Sequence, residues 1–248
     1  MGLARPGLKA VKGGEIVKIF HFSERLVKIR GLAIISRIRF TNRFLQPYKT
    51  MSNEIQNTRS IALVGVGGQG ILLASEICAQ AAMACGFDVK TNEVHGMAQR
   101  GGSVVAQIRY GKNVHSPLIA PGSASVLVAL ERIEALRFHA YLSEDGLAVV
   151  NAQRIIPVTV SMGAAAYPDD AQDRLEKAFN RLIYLDAEAI ADKLGNIKAA
   201  NTVLLGAMAT ELDIPVEAWK NAIEKCCKPK FIDVNLAAFD AGQNALKK

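Results

Sequence analysis

The first apolar cluster that reads as a buried strand is Ile-Ala-Leu-Val at 61–64, set between a polar run ending at Ser60 and a glycine-rich turn. A short apolar run bounded by turn residues is the signature of a strand covered on both faces. Residues 71–85, rich in Ala, Leu and Ile, follow as a helix. A second strand is predicted at about 88–92, a third at 103–110, a short apolar one at 126–130 and another at 146–151. The stretch 111–125 reads as loop, with Pro117, Pro121 and Gly122, and 131–142 as a helix that exits through Ser143-Glu-Asp-Gly146. Strands that alternate with helical stretches argue for a largely parallel sheet flanked by helices.

Beyond Asn151 the pattern predicts a short strand near 157–161, a turn at Tyr167-Pro-Asp-Asp170, a helix at 175–181 and a strand at 183–185. Helices then dominate. Asp186 caps 187–194, 201–212 is an apolar helix, 216–227 is amphipathic behind Pro215, and 231–243 is the last. There is no internal repeat and no low-complexity tract. The expected fold class is α/β: a Rossmann-like, largely parallel sheet flanked by helices, with a helical C-terminal part.

Charge changes the domain picture. The net charge of +7 is unevenly spread: residues 1–50 carry eleven Lys and Arg against Glu15 and Glu24, a net of +9, which leaves −2 for the remainder. Basic character therefore belongs to a leader, and the body offers no basic face for nucleic acid. Three readings of the leader stand side by side. It is an amphipathic basic helix for a membrane surface, an organelle transit peptide, or upstream sequence translated ahead of a true start at Met51. The third is favoured, because Met51 and a short polar run lead straight into the first strand and serine is sparse for a transit peptide. The domain is then 51–248. No run of about 18 apolar residues suggests a membrane span.

Candidate chemistry lies in two glycine-rich loops. Gly65-Val-Gly-Gly-Gln-Gly70 places glycines 65, 67 and 70 in G-x-G-x-x-G spacing between a strand and a helix, with Gly68 added. Such a turn lets peptide N–H groups face an anion, and the helix N-terminus adds a positive dipole end. Gly65, Gly67, Gly68, Gln69 and Gly70 are thus candidate binding residues. The motif alone is a weak signal. An NAD site would want an acidic ribose clasp about 20 residues on. Glu93 stands near that place, but inside a second glycine-rich run, Glu93-Val-His-Gly-Met-Ala-Gln-Arg-Gly-Gly-Ser103. That loop adds His95, Gln99, Arg100, Gly101, Gly102 and Ser103 as candidates for ligand or partner contact. The bland alternative gives each a structural duty: helix–strand packing for the first glycines, a tight turn for Gly101 and Gly102, an ion pair for Arg100, a satisfied hydrogen bond for His95.

Catalytic machinery of the chain's own is scarce. His95, His115 and His139 show no metal-binding spacing, and no P-loop or G-x-S-x-G elbow is present. Asp169 and Asp170 read as turn residues. Cys78, Cys85, Cys226 and Cys227 lack an iron–sulfur spacing and read as small, mostly buried residues of a protein in a reducing cytoplasm.

The paired loops resemble the gamma domain of the 2-oxoacid:ferredoxin oxidoreductases, most closely its indolepyruvate branch. The likeness rests on GVGGQG and EVHGMAQRGGSV, and extends through Ile197-Lys-Ala-Ala-Asn-Thr-Val-Leu-Leu-Gly206, Ile214-Pro-Val-Glu-Ala-Trp219 and Asn235-Leu-Ala-Ala-Phe239, covering roughly 58–245. The resemblance implies a heteromeric enzyme that uses thiamine diphosphate and iron–sulfur clusters to convert a 2-oxoacid and CoA to acyl-CoA and CO2, with ferredoxin reduced. The family's thiamine motif has no equivalent here, and Glu144-Asp-Gly146 is only a partial echo. The resemblance therefore implies the subunit with no bound cofactor of its own, completing a site in a thiamine- and cluster-carrying alpha subunit. It also implies that the glycine loops contact CoA or that partner. The rival reading is a stand-alone Rossmann-like nucleotide-binding regulatory module.

Overall fold

The first strand, β1 (Arg59–Val66), is built from residues that are buried almost without interruption, as a central strand covered on both faces must be. The computed structural model describes residues 58–96, 101–156, 158–164 and 166–245; the predicted leader at 1–50 lies outside them. Helix α1 (Ile71–Ala84) crosses over to β2 (Asp88–His95), which is followed by β3 (Ser103–Gly111), β4 (Ala124–Ala129), α2 (Arg132–Arg137) and β5 (Leu142–Asn151). Next come a single helical turn α3 (Val158–Ser161), α4 (Ala171–Ala178), β6 (Leu182–Leu185) and α5 (Ala187–Lys193). The chain ends in α6 (Ala200–Ala209), α7 (Val216–Cys226) and α8 (Ile232–Asn244).

The sheet order is β2-β3-β1-β4-β5-β6. Strands β1, β4, β5 and β6 pair in parallel, and β3 pairs antiparallel with both β1 and β2. The sheet is thus mostly parallel, as expected, with β3 running against the other described strands. The reason lies in the linkers. Only residues 96–102 join β2 to β3, whereas a parallel return needs a crossover of a dozen or more residues.

Alternate residues of the central strands feed two cores. Ile61, Leu63, Val126 and Val128 face α1, α6, α7 and α8; Ala62, Val64, Leu127 and Ala129 face Ala135 of α2 and Leu175 of α4. Trp219 of α7 and Phe239 of α8 stack at 6.0 Å in the first core. At Gly206 and Gly242 the backbones of α6 and α8 meet without a side chain between them. A Cβ on Gly206 would lie 2.0 Å from the Phe239 carbonyl oxygen, and one on Gly242 would lie 1.9 Å from that of Val203.

The structure departs from the sequence reading in three places. The strand predicted near 157–161 is a helical turn over Val158–Ser161. The helix predicted at 131–142 stops at Arg137, and a 3-10 turn at His139–Tyr141 leads into β5, which begins at Leu142. Leu142 pairs with Ala124 and folds over Gly146, where a Cβ would lie 2.5 Å from its Cδ1, so the supposed exit is absorbed into the strand. The helix predicted at 175–181 starts earlier, at Ala171.

Candidate functional site

The chain leaves β1 toward one edge of the sheet and returns to β4 on its other side, so the crevice between β1 and β4 is a topological switch point. Ligands of open α/β sheets bind at such points, outside the carboxyl ends of the strands. A cavity of about 460 Å³ opens there. The first glycine loop contributes Gly68, Gln69 and Gly70; the strand ends contribute Leu130 and Asn151. The far wall comes from Gln153, Glu188, Lys198, Asn201, Cys226, Cys227, Lys228, Phe231 and Asn235.

Gly68 and Gly70 carry φ of 107° and 80°, a left-handed backbone that favours glycine. Gly70 also leaves room for Asn201, whose Nδ2 donates to the Gly70 carbonyl at 3.1 Å and would meet an added Cβ at 2.6 Å. Helix α1 starts behind Gly70 with no side-chain cap, so its first-turn N–H groups lack a partner from a capping side chain. Asn201 is held in turn: its Oδ1 accepts from the Thr202 N–H at 2.8 Å, and the Thr202 hydroxyl donates to Asn235 Oδ1 at 2.7 Å.

Gln69 folds back into its own loop. Its Oε1 accepts from the Val66 N–H at 2.7 Å, and its Nε2 donates to the Leu130 carbonyl at 2.8 Å and to Gln153 Oε1. Gly65 makes this possible, because a Cβ there would lie 2.7 Å from Gln69 Oε1. The Leu130 carbonyl also accepts from Asn151 Nδ2 at 3.2 Å, while Asn151 Oδ1 accepts from the Ala187 N–H at 3.0 Å. The exits of β1, β4 and β5 and the start of α5 are thereby tied together.

The second loop rests on the first. The Gly67 N–H donates to the Gly102 carbonyl at 2.8 Å, and the Gly101 N–H reaches the Gly67 carbonyl at 3.4 Å. Gly101 has a φ of 78°. The Ser103 hydroxyl donates to Glu134 Oε2, and Glu134 is also paired with Arg137 at 2.7 Å. His95 ends β2 opposite Val104. Gln99 and Arg100 lie outside the described residues. The structure thus brings both loops together, and among the described residues only Gly68, Gln69 and Gly70 of those predicted line the cavity.

Sequence reasoning missed the far wall. Its polar members, Gln153, Glu188, Lys198, Asn201, Lys228 and Asn235, form no motif with the glycine loops; they converge only through folding. The available signals were the runs Ile197–Gly206 and Asn235–Phe239, which carried resemblance but no assigned role.

The electrostatics of the wall are mixed. Burial, and then Asp186, push the Glu188 carboxyl above its ordinary value. Burial raises the Cys226 and Cys227 thiols, which disfavours the thiolate that redox or nucleophilic chemistry needs. Among the described residues no three His, Cys, Asp or Glu side chains gather as a metal would require. No described helix is long and apolar enough to cross a membrane.

Next to the cavity, Glu131 caps α2 by accepting from the Ile133 N–H at 2.7 Å and the Glu134 N–H at 3.0 Å, and it also accepts from the Tyr167 hydroxyl at 2.9 Å. Burial and then Glu131 push Tyr167 up to about 12, with Arg132 pulling against them. Its tyrosinate absorbance, isolated by subtracting the Tyr167→Phe spectrum, is expected near pH 12, well above an unperturbed tyrosine. The folded value being the raised one, this hydroxyl stabilises the fold fully below pH ~10 and ceases to do so as pH climbs through the folded value.

A family model, Pyruvate ferredoxin/flavodoxin oxidoreductase, matches residues 60–245. The chain is 42% identical over 194 residues to indolepyruvate oxidoreductase subunit IorB of Pyrococcus horikoshii, covering 76% of this chain and 96% of that protein. Subunit PORC of pyruvate oxidoreductase from Thermotoga maritima superposes with a TM-score of 0.58 at 26% identity, over 76% of this chain and 96% of that one. The gamma subunit of keto/oxoacid ferredoxin oxidoreductase from Geobacter sulfurreducens shares the fold, with a TM-score of 0.57 at 24% identity over 77% of this chain and 99% of that one. A match from the first strand to the last helix, with identity sustained across nearly the whole of a relative, means that the chain belongs to the pyruvate ferredoxin/flavodoxin oxidoreductase family, as a subunit of the 2-oxoacid:ferredoxin type.

Proposed function

We propose that this chain is the subunit of an indolepyruvate:ferredoxin oxidoreductase that carries neither thiamine diphosphate nor an iron–sulfur cluster. It works beside an alpha subunit that holds both. The complex converts an aryl 2-oxoacid, CoA and oxidised ferredoxin to the acyl-CoA, CO2 and reduced ferredoxin. Thiamine diphosphate in the partner supplies the decarboxylation. This chain supplies two glycine loops, the first of which lines a cavity, presented to CoA or to the partner's active-site region. Four free cysteines suit a cytoplasmic location.

The observation that carries the reading is the 42% identity to subunit IorB, sustained over 96% of that protein. The site's chemistry supports a phosphate-bearing ligand: α1 begins uncapped at Gly70, and the exposed Lys198 and Lys228 line the same cavity. The test is co-expression with a thiamine- and cluster-binding partner, then steady-state assay with indolepyruvate, pyruvate and 2-oxoglutarate. CoA-dependent ferredoxin reduction with the highest kcat/KM for indolepyruvate is expected. A complex that turns over another 2-oxoacid better displaces the substrate, and one that turns over none displaces the function.

Arg100 carries a further prediction. A guanidinium offers a planar fork of donors to phosphate or carboxylate that one ammonium does not reproduce. Arg100→Ala is expected to lower kcat/KM of the assembled complex by more than about tenfold, roughly 1.4 kcal/mol, with Arg100→Lys restoring part of it. A raised KM for CoA with normal assembly identifies ligand contact; lost assembly in a pull-down identifies an interface. Wild-type kinetics and assembly would remove Arg100 from the site.

A further inference from the structure

A chain of side-chain hydrogen bonds runs from the cavity wall to the first glycine loop, whose backbone is bonded to the second, and its polarity is set at one end. The Val66 N–H is a donor only, so Gln69 must turn its oxygen toward it. Gln69 Nε2 then faces the Leu130 carbonyl and Gln153 Oε1. Gln153 is left with its own Nε2 directed at Glu188 Oε1, which accepts. The order Glu188 to Gln153 to Gln69 is therefore fixed in one direction. It continues through the backbone of the first loop, whose Gly67 N–H donates to Gly102 of the second. Glu188 stands on α5, far from the loops in sequence, and lines the cavity.

We propose that Gln153 and Glu188 are positioning residues, which hold the two glycine loops in register by fixing the Gln69 side chain. The proposal rests on the function given above for its consequence in catalysis, since loops that present CoA or partner contacts must be held in one geometry. Neither residue touches a reacting atom in this account. Each acts through Gln69. A ligand that engages Glu188 in the cavity would act on the same chain of bonds and so on the second loop.

The test is hydrogen–deuterium exchange of the full chain, read on peptides covering 65–70 and 101–106. Glu188→Leu removes the terminal acceptor, and Gln153→Leu removes the middle link, so either variant serves if the other fails to fold. Each is expected to speed exchange in both peptides by at least about tenfold while leaving α7 and α8 unchanged. Glu188→Gln keeps an acceptor oxygen toward Gln153 and should stay within about twofold of wild type. Unchanged exchange at 101–106, an equal rise across the whole chain, or a Glu188→Gln variant as perturbed as Glu188→Leu would each overturn the proposal. The readout needs neither partner nor 2-oxoacid, so a failed activity assay leaves this test standing on its own.

Discussion

Gly242→Ala is expected to be among the most damaging single-methyl additions in the protein. The new Cβ would sit 1.9 Å from the Val203 carbonyl oxygen and 3.0 Å from the Ala207 nitrogen, both backbone atoms of the facing helix. Flexible side chains can step aside, but here two helix backbones must separate. They are α6 and α8, whose Asn201, Leu204 and Asn235 line the cavity. Overpacking of this kind costs about 3 kcal/mol or more. For a domain of this size that lowers Tm by roughly 6–12 °C. Gly206→Ala, with its Cβ 2.0 Å from the Phe239 carbonyl oxygen, should behave alike. The two sites share one crossing, so the double variant should cost less than the sum of the singles. Thermal or denaturant unfolding of the four proteins measures this, and a Gly242→Ala variant within about 1 kcal/mol of wild type would refute the close-crossing account.

Gln69→Leu is expected to cost about 2–3 kcal/mol, because it strands the Val66 N–H and Gln153 Oε1, while the Leu130 carbonyl keeps only Asn151. The more telling variant is Gln69→Glu. Its carboxylate can still accept from the Val66 N–H, but its second oxygen then faces the Leu130 carbonyl and Gln153 Oε1 with no hydrogen between. Only the protonated acid restores a donor. The folded pKa of the introduced carboxyl is therefore raised above its unfolded value. The sign follows directly: its stability is greatest below the unfolded value and declines as pH rises through the folded one. Urea midpoints from pH 4 to 8 should fall with pH relative to wild type in this variant alone. A flat difference across that range would show that the Gln69 amide is not a donor to Leu130.

How much of the site was legible follows from how local each piece is. The strand, the left-handed glycines and the uncapped helix start lie within a dozen consecutive residues, and local sterics set them. The second loop was legible as a glycine-rich polar run, though not its dependence on the first through Gly67 and Gly102. Gln69 was read as a candidate ligand residue because it stands in a glycine-rich turn whose N–H groups can face an anion. In the fold it braces two strand exits, a role that depends on Leu130, 61 residues away. Glu188 carried no signal, since one carboxylate in the first turn of a helix is ordinary helix chemistry.

By itself the sequence determined the strand–glycine–helix corner, the mostly parallel α/β character, the helical end and the family, all of which rest on local pattern. The tertiary structure alone decided three things. It set β3 against its neighbours, because the 96–102 link is too short for a crossover. It closed the cavity by crossing α6 and α8 at Gly206 and Gly242, where only the absence of Cβ lets two backbones meet. It brought Glu188, Asn201 and Asn235 to the first glycine loop from more than a hundred residues away, as packing of α1, α5, α6 and α8 on one face of the sheet requires and no spacing along the chain records.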